Sequence, residues 1–360
     1  VSEYDGKQFV GIDLHRSRSV IVRMTAEGER LDAVRIVNDP MRLMAEIGKA
    51  GEAPEVVLEA TYGWYWAADV LAEAGAHVHL AHPLGIKGFT TRRVKNDVRD
   101  ATDLADLLRM GRLPEAWIAP PAVRELRELV RYRCRLVGRR SGLKAGVHAV
   151  LAKQGLRLPV TDLFGVRGRV LLAQVPLEPV LRARVNSQCR LIDAFGFEID
   201  TVTGLLLRRA AKDPGWTVIQ QIPGIGPILA AVILAEIGDI GRFAGPRQLC
   251  SWAGLTPKHY ESDRTVRRGH ITKQGSRLLR WALVEAAQKI PASAGWLVAT
   301  RDGIRDRRGK GIATVAVARR LCTLVYFGLR DGHIRALDPQ TTTTGSPDSD
   351  PHPLVAWSWS

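Results

Sequence analysis

The sequence predicts an α/β domain with a mixed sheet over residues 1–120, a helical spacer over 121–212, a mostly helical domain over 213–335 and a disordered tail at 336–360. Three observations carry this reading. From Phe9 to Pro120, short apolar strands alternate with helical runs. From Ala122 to about Leu156, and again from Phe164 to Arg209, the period becomes helical. Beyond Asp338, the stretch Thr341-Thr-Thr-Thr-Gly-Ser-Pro-Asp-Ser-Asp350 has too little apolar surface to order a chain.

Each element has its own signal. Phe9–His15 reads as an apolar strand with an acid, Asp13, near its end. Ser19–Met24 and Ala33–Val37 read as two further strands, joined by turn residues around Glu27-Gly28. Met41–Lys49 is helical, Glu55–Glu59 is a strand ending in an acid, and Tyr65–Ala74 is a helix closed by Gly75. His77–Ala81 is a fifth strand. Asp100–Arg112 is a helix with Leu104, Leu107 and Leu108 on one side. This order fits three antiparallel meander strands followed by strand–helix–strand units. In the spacer, Arg124, Arg127, Arg131, Arg135 and Arg139 recur every three or four residues, with Leu126, Leu129, Val130, Leu136 and Val137 between them. Breaks fall near Pro159 and Pro176, which suggests antiparallel helices or a coiled coil suited to oligomerisation and nucleic-acid contact. Asp213-Pro-Gly215 marks the next boundary, and Trp216 to about Leu329 forms the last globular part.

The charge balance selects the partners. Lys and Arg outnumber Asp and Glu by 52 to 37, a net charge of +15, in a chain otherwise ordinary at 46% hydrophobic and 25% charged. Such an excess attracts polyanions, because neutralised phosphates release condensed counterions. No apolar run reaches the roughly 18 residues that span a bilayer, and the start has no secretory pattern, so a cytoplasmic protein without membrane contact is expected. The four cysteines lie far apart without zinc-ligand spacing, as free thiols would.

Four acids fall where a polynucleotide-processing α/β domain needs them. Asp13 and Glu59 sit at strand ends, and Asp97 and Asp100 sit three apart at a helix start in Lys95-Asn-Asp-Val-Arg-Asp-Ala101, on one helix face. Carboxylates gathered this way repel one another unless a cation joins them. Mg2+ is the usual solution, since it takes oxygen ligands and leaves positions for phosphate oxygens. Each acid also has a structural explanation: a strand end at a turn for Asp13, a surface position for Glu59, and helix capping for Asp97 or Asp100. Asp103 and Asp106 extend the acidic face, and spacing alone allows Asp103 to replace Asp97 or Asp100 as a ligand.

Two features stand out further along. Ile222-Pro-Gly-Ile-Gly-Pro227 is a glycine hairpin before a strongly apolar helix, as in helix-hairpin-helix modules, where Gly224 and Gly226 would offer backbone N–H groups to a phosphate. A tight turn before a buried helix explains the same glycines. The stretch from Lys258 to Ser276 reads as a basic loop whose Lys258, Arg264, Arg267, Arg268 and Lys273 contact phosphates, or else stay solvated.

Gly11-Ile-Asp13, Leu58-Glu59-Ala-Thr-Tyr-Gly63 and Lys95-Asn-Asp97-Val-Arg-Asp100-Ala101 resemble the DEDD motif of the Piv/MooV invertase and "IS one-ten" insertion-sequence transposase family. The resemblance covers nearly the whole chain except the tail. It implies an RNase H-like, RuvC-like N-terminal domain in which Asp13, Glu59, Asp97 and Asp100 bind the metal. It extends to Gly254-Leu-Thr-Pro257 and Gly269-His-Ile-Thr-Lys-Gln-Gly275, between which the family places a serine nucleophile; here that is Ser262. Glu261 and Asp263 flank it where family members often carry Ser-Ser-Gly-Gly. The resemblance further implies donor and target DNA, a structured element-encoded guide RNA, and a homo-oligomer, a dimer or tetramer. The expected function is therefore Mg2+-dependent cutting and rejoining of DNA by an insertion-sequence transposase. Two alternatives stay open: a RuvC-like structure-specific endonuclease that uses water, and a noncatalytic nucleic-acid-binding protein.

Overall fold

The computed structural model describes residues 4–88, 96–262 and 265–337, with only the backbone of Val266 and Arg268. Lys95, Asp263, Arg264 and the tail from Asp338 onward lie outside the described residues. The chain divides into two compact units, Val1–Ala119 and Pro120–Ser360.

The first unit is built on five strands: β1 (Phe9–Leu14), β2 (Arg18–Met24), β3 (Arg30–Val37), β4 (Glu55–Glu59) and β5 (His77–Ala81). Their order in the sheet is β3-β2-β1-β4-β5. The pairs β1–β2 and β2–β3 are antiparallel, and β1–β4 and β4–β5 are parallel. The expected mixed sheet is therefore present. Among the described residues, four helices accompany it: α1 (Pro40–Gly48), α2 (Trp64–Glu73), the short α3 (Pro83–Ile86) and α4 (Asp97–Arg109).

Strand alternation sorts the side chains between two layers. Val10, Ile12, Leu14, Val56 and Leu58 join Leu43, Ile47, Ala67 and Leu71 of α1 and α2 in one core. On the other face, Val57 and Ala81 pack on Leu104 and Leu108, and Val20 and Val22 pack on Ala101. Leu104, Leu108 and Ala101 all belong to α4. Helix α4 starts at Asp97 rather than Asp100, because the Asn96 side chain accepts the Val98 N–H at 3.0 Å and caps it.

In the second unit, α5 (Pro121–Lys153) and α7 (Pro179–Ala210) run antiparallel, with α6 (Val166–Gln174) between them in sequence. Arg133 Nε donates to Thr203 Oγ1 at 2.7 Å, and Arg209 Nη2 donates to the Ala122 carbonyl at 3.1 Å, which fixes that direction. The far end of the pair has its own core of Val147, Val150, Leu151, Leu172, Val185 and Ile192. At the near end, Leu126, Val130, Leu206 and Ala210 join the large core of the remaining helices. Those are α8 (Pro214–Ile219), α9 (Pro227–Ile237), α10 (Pro246–Trp252), α11 (Arg277–Gln288), α12 (Trp296–Arg308) and α13 (Lys310–Asp331).

Two expectations need correction here. The arginine stripe of α5, read from the sequence as suited to oligomerisation and nucleic-acid contact, turns partly inward. Arg127 donates to the Ala235 and Glu236 carbonyls at 2.7 and 3.0 Å, and Arg131 makes a two-pronged bond to the Glu236 carboxylate at 3.0 and 3.2 Å. The last carbonyls of a helix lack intrahelical donors, and Arg127 supplies them to α9 while Arg131 pairs with its Glu236 carboxylate. Arg124 is buried as well, so the outward stripe shrinks to positions such as Arg135 and Arg139. Second, α13 is long and apolar enough to cross a bilayer, despite Arg319 and Arg320 in its middle. Its Val317, Ala318, Leu321, Cys322, Leu324 and Val325 are instead spent on the core of this unit. The four cysteines are free thiols, two of them buried in that core.

Candidate functional site

Asp13 is the last but one residue of β1, and the register that sets Ile12 opposite Leu58 brings Glu59 beside it. Both follow the alternation that places Gly11 and Val57 on the α4 side of the sheet. Gly11 decides how near α4 can come. A Cβ there would lie 1.9 Å from the Ala101 carbonyl oxygen and 2.9 Å from the Ala105 nitrogen, so only glycine admits the helix backbone. Ala101 and Ala105, fully buried on the facing side of α4, keep the approach close. One turn before them along the helix stand Asp97 and Asp100.

The carboxylates converge unevenly. Ligand atoms of Asp13, His15 and Asp97 all lie within 4.8 Å of one another, the group among the described residues that has the spacing of a metal site. His15 Nε2 is 3.2 Å from Asp13 Oδ2 and 3.6 Å from Asp97 Oδ1. Arg35, on β3, reaches the other oxygen of Asp97 at 3.3 Å. Glu59 and Asp100 neighbour this triad through the strand register and the helix, but are not members of it. Asp103 is half-buried, and Asp106 is held by Arg109 at 2.7 and 3.0 Å. The site thus gathers carboxylate oxygens from two elements and one imidazole nitrogen, a donor set that fits a divalent cation, while the Arg35 guanidinium holds Oδ2 of Asp97. Sequence reasoning missed His15 and Arg35. The first was visible only as the end of a strand, and the second meets Asp97 only through the sheet.

The second candidate site is in the other unit. Where a basic loop was expected, Pro257–Ser262 (β6) and Thr265–Ile271 (β7) pair as an antiparallel ribbon, with Ser262 opposite Thr265 at its tip. Lys258 to Ser262 are all exposed. Alternation puts Ser262 on one face with Tyr260 and its cross-strand partner Arg267. Glu261 faces the other way, where His259 Nε2 meets its carboxylate at 3.1 Å. Of the two acids that flank the serine, Glu261 is therefore turned away from it, and Asp263 lies outside the described residues.

The root of the ribbon is rigid. A Cβ on Gly275 would lie 1.9 Å from the Trp252 carbonyl oxygen, and one on Gly254 would lie 2.4 Å from that of Gln274. Both glycines have positive φ, +65° and +69°. Arg280 Nη1 donates to the carbonyls of Ala253, at 3.0 Å, and of Gln274. Burial, with Arg277 nearby, pushes that guanidinium below its ordinary pKa. The Thr272 N–H donates to the Thr256 carbonyl at 2.8 Å, and the Lys273 N–H to that of Gly254 at 3.2 Å. The two glycine motifs thus lock into each other and project Lys258, Arg267 and the backbone of Arg268 outward, with Lys273 exposed at the base.

The glycine hairpin has two unlike members. Gly224, at φ +89°, would set a Cβ 2.3 Å from the Ala286 carbonyl oxygen, so close packing on α11 requires it. Gly226 caps α9, is exposed and has open space at its Cβ position.

Comparison with known proteins points one way. Residues 217–299 match the family described as "Transposase IS116/IS110/IS902 family", and residues 10–154 match a DEDD-type transposase family. The chain is 25% identical to an "Insertion element IS116 uncharacterized 44.8 kDa protein" of Streptomyces clavuligerus, over 93% of this chain and 98% of that one. It is 25% identical to a "Transposase for insertion sequence element IS1328" of Yersinia enterocolitica, over 78% of this chain and 84% of that one. It is 30% identical to a "Pilin gene-inverting protein" of Moraxella bovis, over 32% of this chain and 36% of that one.

Proposed function

The chain belongs to the IS116/IS110/IS902 transposase family, and from that premise we propose that it cuts and rejoins DNA with a carboxylate-held divalent cation and a serine nucleophile. The observation that carries the reading is the seating of α4 on Gly11, which draws Asp97 to Asp13 at the edge of a packed core. The three antiparallel and two parallel strands support an RNase H-like, RuvC-like domain.

Asp13, Glu59, Asp97 and Asp100 would hold the cation, Mg2+ in the simplest case. Bound there, it would neutralise the developing charge on a phosphodiester and lower the barrier to deprotonating a nearby hydroxyl. The rest of the chemistry falls to the chain. Ser262 loses its proton, its Oγ bonds to phosphorus, and the deoxyribose oxygen of the broken ester leaves and takes up a proton. The phosphoserine ester keeps the energy of the bond it replaced. A deoxyribose hydroxyl of the partner strand can therefore reverse the step without ATP. Arg267 and Tyr260 share the face of Ser262 and would steady the phosphate, while Lys258, Arg264, Arg268 and Lys273 neutralise the flanking backbone. Gly226, and Gly224 beside it, would add main-chain N–H contacts.

The reaction requires Ser262 to reach the cation site of the same or a neighbouring subunit, and the family resemblance implies that it does so in a homo-oligomer, a dimer or tetramer, on donor and target DNA. The net charge of +15 supports affinity for polyanions, including the structured guide RNA implied by the resemblance. The test is strand cleavage by Ser262→Ala and Asp13→Asn. Loss of cleavage in both, with a covalent protein–DNA adduct only in the wild type, is expected. Cleavage that survives Ser262→Ala would instead show a nuclease that uses water.

A further inference from the structure

We propose that His15 is itself a ligand of the divalent cation, beside Asp13 and Asp97, and that it tilts the site toward a transition-metal ion such as Mn2+ over Mg2+. This rests on the metal reading given above and adds a residue and a selectivity to it.

The first argument is geometric. Around an octahedral ion with bonds of about 2.1 Å, adjacent donor atoms lie about 3 Å apart. His15 Nε2 is 3.2 Å from Asp13 Oδ2 and 3.6 Å from Asp97 Oδ1. An ion can therefore be received with small adjustments of side chains already in place.

The second argument is that three residues hold His15 there. The His15 N–H donates to the Arg18 carbonyl at 3.1 Å, and the His15 carbonyl accepts from Asn38 Nδ2 at 2.7 Å. The other end of that amide, Asn38 Oδ1, accepts from the buried Ser19 hydroxyl at 2.6 Å. The turn that follows β1 is thereby tied to the end of β3, and the imidazole leaves it from a fixed backbone. Arg35 completes the arrangement. By occupying Asp97 Oδ2 at 3.3 Å, it leaves Oδ1 directed at His15.

Selectivity follows from donor chemistry. Mg2+ takes oxygen ligands and keeps its waters, whereas an imidazole nitrogen is bound more strongly by first-row transition ions, Mn2+ being the weakest of that series. A site with one nitrogen donor among carboxylates loses less with Mn2+ than with Mg2+.

The test uses the full chain titrated with Mn2+, reading free ion by electron paramagnetic resonance and ligand nitrogen by electron spin-echo modulation. The wild type is expected to bind Mn2+ with an imidazole nitrogen signal that Asp13→Asn removes. His15→Ala should lose that signal and bind Mn2+ at least about tenfold more weakly, while Mg2+, followed by competition, changes less. Should His15→Ala fail to fold by circular dichroism, His15→Gln carries the same readouts. A nitrogen signal that survives the substitution, or Mn2+ affinity that is unchanged or tighter, overturns the assignment and makes His15 a place-holder for the ion. Absence of any Asp13-dependent cation binding in the wild type overturns the metal reading and this inference together.

Discussion

The carboxylate site and the serine ribbon solve opposite problems. The acids sit at the margin of a sheet covered on both faces, and their separations are set by buried backbone, chiefly where α4 lies on Gly11. The serine sits at the tip of a ribbon whose first strand is exposed from Lys258 to Ser262 and whose root is fixed by close glycine contacts. Charged groups that must not drift apart are placed where packing holds them. The serine proposed as nucleophile stands instead on a strand whose side chains, from Lys258 to Ser262, are exposed. Stability and reach are thus divided between two parts of one chain.

That contrast can be broken at its anchors first. Gly275→Ala combines a positive φ with a clash against Trp252, so unfolding by denaturant should show a loss of about 3 kcal/mol or more in the second unit. A loss within experimental error would mean that the ribbon root is pliable. Gly11→Ala should cost about 1–3 kcal/mol in the first unit and weaken Mn2+ binding by lifting α4 off β1; intact metal affinity would detach the site from that contact.

A gentler probe is pH. Burial pushes the Glu55 carboxyl up, but hydrogen bonds from Lys7, His79 and His77 overcome it and bring the pKa down from 4.5 to about 2. A carboxyl with a depressed folded pKa stabilises above its unfolded value and loses that contribution as pH falls through its folded one. Thermal melts of the first unit should therefore drop between pH 4.5 and 2, and Glu55→Gln should flatten that dependence. The effect is held to about 1 kcal/mol by solvent screening. Smallest of all, Arg267→Ala should leave stability within about 0.5 kcal/mol, yet lower the salt dependence of DNA binding by about one unit of slope. If it destabilised the fold as much as Gly11→Ala, the ribbon would not be the unpacked arm described here.

The same division governs what the sequence disclosed. Strands β1 and β4 are legible because buried apolar runs end in acids, and α4 because its leucines repeat on one side. The ribbon was not legible as strands. Pro257-Lys-His-Tyr-Glu-Ser262 has no buried face, so no period-two apolar pattern exists to be read. His15 and Arg35 escaped because their importance lies in what they touch: Arg35 meets Asp97 across 62 residues of sequence. The arginines of α5 were visible, but their inward direction was not, since the α9 carbonyls they bond lie more than a hundred residues further on.

That last contact bears on how such a protein can be inherited in pieces. Glu236 is nearly buried and matched by a guanidinium from α5, and the same helix pair lends Leu126, Val130, Leu206 and Ala210 to the interior around α9. A polypeptide cut at Asp213 would leave a carboxylate stranded and apolar surface bare. Shuffling that swaps the serine-bearing portion between related elements must therefore carry the long helices with it, and natural crossover points are expected near Ala119 rather than within them.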